Sequence, residues 1–165
     1  MRVTTPSADG AGLRVCVVAA KWNEAVVRRL ADGALAALRA AGVADSGLEV
    51  VWVPGSLELP LAAKLAAEGG EGGSPGARFD AVVAVGCVIR GETEHFRLVA
   101  DNTARALVDL SLATGKPVTN GVLAVENVAQ ADARSGGEHG NAGAQAALAA
   151  VRMANLRRGR SEEAR

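Results

Sequence analysis

Four short apolar runs, each rich in β-branched residues, alternate along this chain with segments that have helical features. An apolar run bounded by polar or turn residues is typical of a strand that is buried on both faces. Strands that alternate with helices pair in parallel, and the helices then cover both faces of the sheet. The predicted strands cover residues 13–20, 48–53, 79–87 and about 118–125.

The segments between these runs predict the helices and the limits of the folded domain. The helices are expected over residues 24–41, 57–68, a stretch that contains Phe96 to Leu110, and about 126–134 and 142–156. The Gly-rich segment 69–77 predicts a mobile surface loop. We expect a flexible arm over residues 1–12, one domain over 13–157 and a frayed, charged tail over 158–165.

The composition argues against several classes of protein. The 165 residues carry 18 basic and 18 acidic side chains, so the basic excess of a nucleic-acid-binding protein is absent. The longest apolar run, residues 81–89, is far shorter than a membrane span, and residues 1–14 do not resemble a signal peptide. Cys16 and Cys87 both lie in apolar runs, which favours reduced thiols and a cytoplasmic protein. We expect no bound metal, because two histidines without nearby Cys or carboxylates do not form a ligand set.

Ligands of parallel α/β sheets bind at the carboxyl ends of the strands, so the residues that follow each strand are candidates. Trp22 follows the first strand, where its ring either stacks on a flat ligand or covers the edge of the sheet. Glu58 follows the second strand among apolar residues. It either binds a polyhydroxy ligand or favours the N-terminus of a helix.

The segment after the third strand, from Gly86 to Phe96, combines groups suited to anion binding and proton transfer. Its glycine spacing resembles a nucleotide P-loop, but Glu92 stands where that motif needs Lys, so ATP and GTP are rejected. Backbone N–H groups and the Thr93 hydroxyl at a helix start form an anion site. His95 lies in the first helical turn, where the helix dipole favours a neutral imidazole that can accept a proton; otherwise it is an ordinary surface histidine.

Arg134 closes a later helical segment. A planar guanidinium suits a phosphate because it bonds two oxygens at once. The alternative is a solvated arginine at a helix end.

Taken in order, these segments resemble the 6,7-dimethyl-8-ribityllumazine synthase family over roughly residues 13–156. The most specific match is Val88-Ile89-Arg90-Gly91-Glu92-Thr93-Glu94-His95-Phe96. The other matching segments are Lys21-Trp22-Asn23, Val53 to Pro60, Phe79 to Val83, Asn120 to Leu123, Gln130-Ala131, Gly140 to Gly143 and Met153 to Leu156.

The resemblance implies a three-layer αβα sandwich with a four-stranded, parallel, flavodoxin-like sheet. It also implies a transferase of riboflavin biosynthesis that needs no cofactor. Such an enzyme condenses 5-amino-6-(D-ribitylamino)uracil with 3,4-dihydroxy-2-butanone 4-phosphate. The products are the lumazine, phosphate and water, and the sites lie between adjacent subunits of a pentamer.

The resemblance also assigns the site residues. His95 is expected to move protons, and Arg134, Glu92 and Thr93 are expected to hold the butanone phosphate. The residues expected at the ribitylaminouracil are Trp22, Ser56, Leu57, Glu58, Cys87, Val88, Ile89 and, from a neighbouring subunit, Asn120.

The chain departs from the family pattern at three of these matched positions. Ala142 replaces a family lysine that lies near the phosphate, Leu57 replaces a phenylalanine, and Asn120 stands where phenylalanine is frequent. The loss of the lysine keeps a second hypothesis open, a divergent ligand-binding or shell protein with weak turnover. A third, an unrelated flavodoxin-like flavin binder, does not account for the Val88–Phe96 motif.

The segment Gly136–Asn141 is a short linker between the last two helices. In the family such a linker accompanies icosahedral shells of sixty subunits. We therefore expect a shell rather than a free pentamer or decamer. Whether it encloses riboflavin synthase stays open at this point.

Overall fold

The central sheet contains four parallel strands in the order β2-β1-β3-β4. They are β1 (Val15–Ala20), β2 (Leu48–Val53), β3 (Ala81–Ile89) and β4 (Val118–Val125). The structure, a computed structural model, describes residues 1, 3–69 and 79–163. The predicted loop over 69–77 lies, apart from Gly69, outside these described residues. All four predicted strands are present, with small differences at their ends.

Helices cover both faces of the sheet. They are α1 (Glu24–Ala40), α2 (Leu59–Glu68), α3 (His95–Thr114), α4 (Val128–Arg134) and α5 (Ala142–Glu163). α1 and α5 pack on one face, and α2 and α3 pack on the other. The predicted three-layer, flavodoxin-like sandwich is therefore confirmed. None of the described helices combines the length and the hydropathy that a membrane span requires.

Strand β1 shows why these runs are apolar without interruption. All six of its residues are buried. Side chains of a strand point alternately to the two faces, and both faces are covered by helices. The two hydrophobic clusters divide the strand accordingly, with Val15, Val17 and Ala19 beside α1 and α5, and Cys16, Val18 and Ala20 beside α2.

Two glycines allow α1 and α5 to cross closely. A Cβ atom on Gly143 would lie 2.1 Å from the carbonyl oxygen of Leu30, and one on Gly33 would lie 2.3 Å from the side chain of Asn141. Asn141 also caps α5, because its Oδ1 accepts a hydrogen bond from the N–H of Ala144 at 3.0 Å. The short hairpin before α5, β5 (Ser135–Gly137) with β6 (Gly140–Asn141), ends at this crossing.

The two ends of the chain are attached to the amino edge of the sheet. Helix α5 continues to Glu163. Its residue Arg158 is held by long-range contacts: the guanidinium donates to the carbonyl of Gly12 at 2.8 Å and to the carboxylate of Asp80 at 3.1 Å.

The N-terminal segment is held in a similar way. Asn155 of α5 donates its amide to the carbonyls of Ser7 (3.0 Å) and Asp9 (2.7 Å). The N–H of Gly10 donates to the carbonyl of Ala41 at 2.6 Å. The part of the predicted flexible arm that includes these residues is therefore bound to the helical layer.

The strands differ in how far they reach at the carboxyl edge. The pairing of β1 with β3 ends at Ala19 and Val85, whereas the pairing of β3 with β4 continues to Ile89 and Val125. β3 thus projects beyond β1. An opening results between the last residues of β3 and the chain that leaves β1.

Candidate active site

The loops that follow β1, β2 and β3 enclose a cleft of about 350 Å³ at this opening. A volume of this size is typical of a pocket for a small molecule. The predicted site residues that line the cleft are Trp22, Ser56, Leu57, Glu58, Cys87, Val88, Ile89, Thr93 and His95.

Trp22 forms the outer wall of the cleft. The N–H groups of Lys21 and Trp22 donate to the carbonyls of Val53 (2.8 Å) and Pro54 (3.2 Å), so the backbone continues the pairing of β1 with β2. The Trp22 side chain remains 74% exposed. A ring that covered the edge of the sheet would be buried. The exposed ring is therefore available to stack on a flat ligand.

A tight turn after β2 places Ser56 at the bottom of the cleft. Ser56 begins a 3-10 turn that ends at Glu58, and it is 5% exposed. Its carbonyl accepts a hydrogen bond from the Thr103 hydroxyl of α3 at 3.2 Å. Gly86 of β3 makes room for this turn, because a Cβ atom there would lie 2.9 Å from the Ser56 Oγ. Contacts from two other elements thus fix the turn.

Glu58 is exposed on the wall of the cleft. It stands at the start of α2, yet its side chain makes no capping hydrogen bond to that helix. Its sequence neighbour Leu57 is 49% exposed, so the apolar residues predicted around Glu58 do not bury it. Of the two predicted roles, this position favours ligand binding, because the carboxylate lines the cleft and does not cap the helix.

His95 is the first residue of α3 and faces the cleft. Its backbone N–H donates to the Thr93 hydroxyl at 3.4 Å. The N-terminus of α3, a helix of 20 residues, therefore lies at the cleft with its partial positive charge. A proton-transfer group and an anion site are consequently adjacent.

The Cys87 thiol is unsuited to nucleophilic chemistry. Its residue is 1% exposed, and burial raises the pKa of the thiol to about 11. The nearby Arg29 lowers this pKa and Asp132 raises it, but both effects are smaller than that of burial. Cys87 thus contributes its backbone and a small apolar surface to the cleft.

No Lys or Arg lines the cleft within the described residues. Arg90, which stands between the lining residues Ile89 and Gly91, pairs instead with Glu126, with its Nε 2.8 Å from that carboxylate. A site for a phosphate dianion that contained only this chain's lining residues would lack a cationic side chain.

Three predicted site residues do not line the cleft of their own chain. Glu92 is exposed in the loop between Gly91 and Thr93. Asn120 is exposed on the edge strand β4, where its Oδ1 accepts from the N–H of Val122 at 2.9 Å. Arg134 ends α4, and its guanidinium donates to the carbonyl of Gln130 at 3.3 Å. One chain therefore does not bring Arg134 to the Thr93 and His95 side of the cleft.

Some lining residues were not predicted as site residues. Phe96 and Val99 belong to the apolar face of α3, and helical spacing alone suggested a role in the core. Gly55 and Gly91 flank the predicted turn and loop, and both leave the backbone open to a ligand. These two glycines could have been predicted from the sequence, because each stands next to predicted site residues.

The described residues contain no group of three or more His, Cys, Asp or Glu side chains that could hold a metal ion. The ionisable groups of the lining residues are Glu58, Cys87 and His95. What this arrangement can do is bind an organic ligand with a flat ring, hydrogen-bond hydroxyl groups and move a proton.

Comparison with known proteins identifies the family of this chain. The sequence model of the 6,7-dimethyl-8-ribityllumazine synthase family matches residues 12–158. A protein of that name from Gemmatimonas aurantiaca is 48% identical over 147 residues, which are 89% of this chain and 85% of the relative. One from Xanthomonas campestris pv. campestris (strain B100) is 45% identical over 143 residues, 87% of this chain and 88% of the relative. One from Xylella fastidiosa (strain M12) is 43% identical over 146 residues, 88% and 90% of the two chains. The chain belongs to the 6,7-dimethyl-8-ribityllumazine synthase family.

Proposed function

We propose that this protein condenses 5-amino-6-(D-ribitylamino)uracil with 3,4-dihydroxy-2-butanone 4-phosphate to give 6,7-dimethyl-8-ribityllumazine. The observation that carries the proposal is the cleft itself. It unites an exposed aromatic ring, a turn that carries a hydroxyl and a carboxylate, and a histidine at a helix N-terminus, in a chain of this family. No residue of the cleft has to form a covalent bond with a substrate.

The pyrimidine ring lies between Trp22 and the backbone of Cys87, Val88 and Ile89. Stacking on the exposed indole contributes about 0.5–1.5 kcal/mol beyond the burial of area. The ribityl chain extends along the turn at Ser56 and Glu58, where a hydroxyl group, a carboxylate and backbone groups match its hydroxyl groups. Leu57 packs against the same chain.

The butanone phosphate lies at the N-terminus of α3. The Thr93 hydroxyl, the backbone of Glu92 and the positive end of the α3 dipole bind the phosphate oxygens there. The pyrimidine amine attacks the ketone, and an imine forms with loss of water. Phosphate is then eliminated, the chain tautomerises, and the second amine closes the ring with loss of another water.

His95 moves the protons of these steps. It accepts a proton from the carbon next to the imine, which allows phosphate to leave, and it returns protons to the leaving oxygens. A positioned histidine contributes about 10²- to 10⁴-fold. Holding the two substrates in a reactive orientation contributes the larger part of the rate enhancement, since it lowers the barrier by about 7–11 kcal/mol.

Family membership indicates homo-oligomeric assembly, and we propose that the sites lie between copies arranged in a pentameric ring. Arg134 would then reach the phosphate of a neighbouring copy, and Asn120 would reach its pyrimidine. The absence of a cationic side chain among the described lining residues supports this arrangement, because a cation from a neighbouring copy would strengthen phosphate binding.

Two exposed apolar rows support a head-to-tail ring. One row runs from the cleft along α2, through Leu57, Leu61 and Leu65, which are 49–64% exposed. The other lies on α3, on the face opposite its buried residues. It consists of Leu98, Val108 and Leu112, which are 54–78% exposed. Two different surfaces that pair between copies produce a ring when the rotation between the copies closes.

The larger assembly and the location are part of the same proposal. The short linker at Gly136–Asn141 favours a shell of pentamers. Riboflavin synthase is the proposed partner inside such a shell. The reduced state of the two buried thiols agrees with the cytoplasm.

The proposal is tested by mixing the purified protein with both substrates and following lumazine absorbance and phosphate release together. The uncatalysed reaction serves as the blank. Acceleration that His95→Ala lowers by at least about 10-fold, with unchanged oligomer mass, supports the enzyme. Folded protein that binds the pyrimidine without acceleration would instead be a ligand-binding relative.

A further inference from the structure

Asn23, at the turn from β1 to α1, has an unusual backbone conformation. Its φ is 58° and its ψ is 44°, and among the described residues no other non-glycine residue has a positive φ. L-residues avoid this left-handed region, although Asn tolerates it better than most. Such strain persists only where surrounding contacts hold the residue in place.

The side chain of Asn23 also differs from those of two other asparagines at helix starts. Asn127 and Asn141 each accept a hydrogen bond from the backbone N–H three residues further along, at 3.0 Å in both cases. Asn23 makes no capping bond of this kind. Its Nδ2 donates instead to the carbonyl of Cys87 at 2.8 Å. Helix α1 thus lacks a side-chain cap, and the amide is committed to the wall of the cleft.

This hydrogen bond extends the hydrogen-bond ladder between β1 and β3 beyond the last backbone pair of the two strands. The pairing of β1 with β3 ends at Val85, and two residues later the Asn23 amide bonds the next carbonyl on the same side of β3. Backbone groups of a strand alternate in direction, so those of Ile89 face that side as well. The chain of β1 has turned away at this level. The Asn23 amide therefore makes the last hydrogen bond on this side of β3, next to the Ile89 backbone at the cleft.

The turn also fixes Trp22. Its N–H is held by Pro54 on one side, and the left-handed residue that follows turns the chain into α1. Trp22 and the Cys87 carbonyl are thus joined through a single residue. Any change in the turn alters the gap between the indole and the end of β3.

We infer that Asn23 is a positioning residue, an inference that rests on the proposed function. Its amide and its left-handed backbone together set the width of the slot between Trp22 and the backbone of Cys87 to Ile89. That width determines how well the flat pyrimidine ring fits. Asn23 acts through these groups rather than by contact with a reacting atom.

Two variants separate the amide from the backbone. Asn23→Asp keeps the shape but replaces the donor with a carboxylate that repels the Cys87 carbonyl. Asn23→Gly adopts the left-handed conformation easily and lacks the amide. Asn155→Asp is the matched control, because it removes an amide that also donates to backbone carbonyls, at the opposite edge of the sheet. All three are made in a Trp52→Phe background, so that Trp22 is the fluorescent reporter.

The first readout is the affinity for 5-amino-6-(D-ribitylamino)uracil, measured by quenching of Trp22. We expect Asn23→Asp to raise Kd and the KM of the pyrimidine about 10-fold and Asn23→Gly about 3-fold, consistent with the loss of one hydrogen bond. The KM of the butanone phosphate should stay within about 2-fold, because the α3 side of the cleft is unchanged. Asn155→Asp should behave like its parent. A pyrimidine Kd within 2-fold of the parent in Asn23→Asp, or equal effects on both KM values, would overturn the inference.

The second readout does not depend on turnover. Time-resolved fluorescence anisotropy of the unliganded protein reports the motion of the Trp22 ring. Asn23→Asp should make that motion faster and wider, and Asn155→Asp should not. If the parent forms no lumazine, the proposed function fails, while unchanged anisotropy in Asn23→Asp would refute the positioning role separately.

Discussion

The guanidinium of Arg90 lies over the ring of Phe96, with 5.0 Å between its central carbon and the ring centroid. The same group pairs with Glu126 just after β4, and the Arg90 N–H donates to the carbonyl of Val125 at 2.8 Å. Because Phe96 lies in the first turn of α3, the contact ties the start of that helix to the end of the sheet. Thr93 and His95 lie within the segment held in this way.

Arg90→Lys should therefore weaken the phosphate end of the site. Lysine keeps the charge but lacks the planar group that stacks on Phe96 and pairs with Glu126. An exposed cation–π contact is worth about 0.5–1 kcal/mol, so the KM of the butanone phosphate should rise about 3-fold. Steady-state kinetics measure it. Arg105→Lys, on the exposed side of α3, should leave this KM unchanged. An unaltered KM in Arg90→Lys would show that the loop needs no such support.

His95 and Arg134 should complement each other between copies. His95→Ala and Arg134→Ala should each lose at least about 10-fold in turnover, since one removes the proton carrier and the other the phosphate cation. If the two act from different copies, dissociating and reassembling an equal mixture should restore about one quarter of parental activity, the random fraction of interfaces with both native residues.

The control for that experiment is the double variant His95→Ala/Arg134→Ala reassembled with the parent. Under the same random assembly, about one quarter of the interfaces should again be native. No recovery in the mixture of single variants, with recovery in this control, would place both residues in one chain's site.

The two buried thiols predict a loss of stability at high pH. Burial raises the pKa of Cys87 to about 11 and, with a smaller effect of Glu49, that of Cys16 to about 12, against 9.0 for a free thiol. Between pH 9 and these values the folded chain keeps protons that the unfolded chain has released. The free energy of unfolding should therefore fall as pH rises through this range. Urea unfolding from pH 8 to 11 measures it, and Cys16→Ala should flatten the dependence.

The same thiols should resist alkylation in the native protein. At pH 8, iodoacetamide should modify Cys87 at least about 100-fold more slowly than in urea, because the thiolate fraction is about two orders of magnitude lower. Mass spectrometry of timed samples measures the rate. Fast modification of the native protein would mean that the cleft side of Cys87 opens readily.

Gly143→Ala should destabilise the crossing of α1 and α5. The added carbon meets the backbone carbonyl of Leu30, so the helices have to separate, at a cost of about 1–3 kcal/mol. Gly159→Ala, in the same helix, meets no atom within 4 Å and should stabilise by up to about 1 kcal/mol. Urea unfolding at one protomer concentration compares them. Equal effects of the two changes would show that the crossing adapts without strain.

The sequence was sufficient for the layers of this fold and for most of the lining of its cleft. Strand β1 is buried on both faces, and its continuous apolar run therefore predicts a strand of a parallel sheet covered by helices on both sides. The rule that ligands bind at the carboxyl ends of parallel strands then points to Trp22, Glu58 and His95. These inferences use local pattern and one topological rule, which both act within a single chain.

Other features depend on partners that are distant in sequence. Arg158, near the end of α5, bonds to Asp80, which lies 78 positions away, and composition does not reveal such a contact. Phe96 fits a helical core stripe and also faces a ligand cleft, and spacing cannot separate the two. The strain at Asn23 lies in its positive φ angle. Asparagine tolerates such an angle, but the residue type alone does not predict it.

The attachment of both chain ends near the same edge has a practical consequence. Arg158 contacts Gly12, which precedes β1, and Asp80, which precedes β3, so the last helix and the first ordered segment meet at the amino edge of the sheet. The cleft lies at the opposite edge, about 20 Å away along a six-residue strand. A short peptide that joined Arg158 to Gly12 would therefore tie neighbouring segments, and the chain could be opened elsewhere without cutting through the cleft.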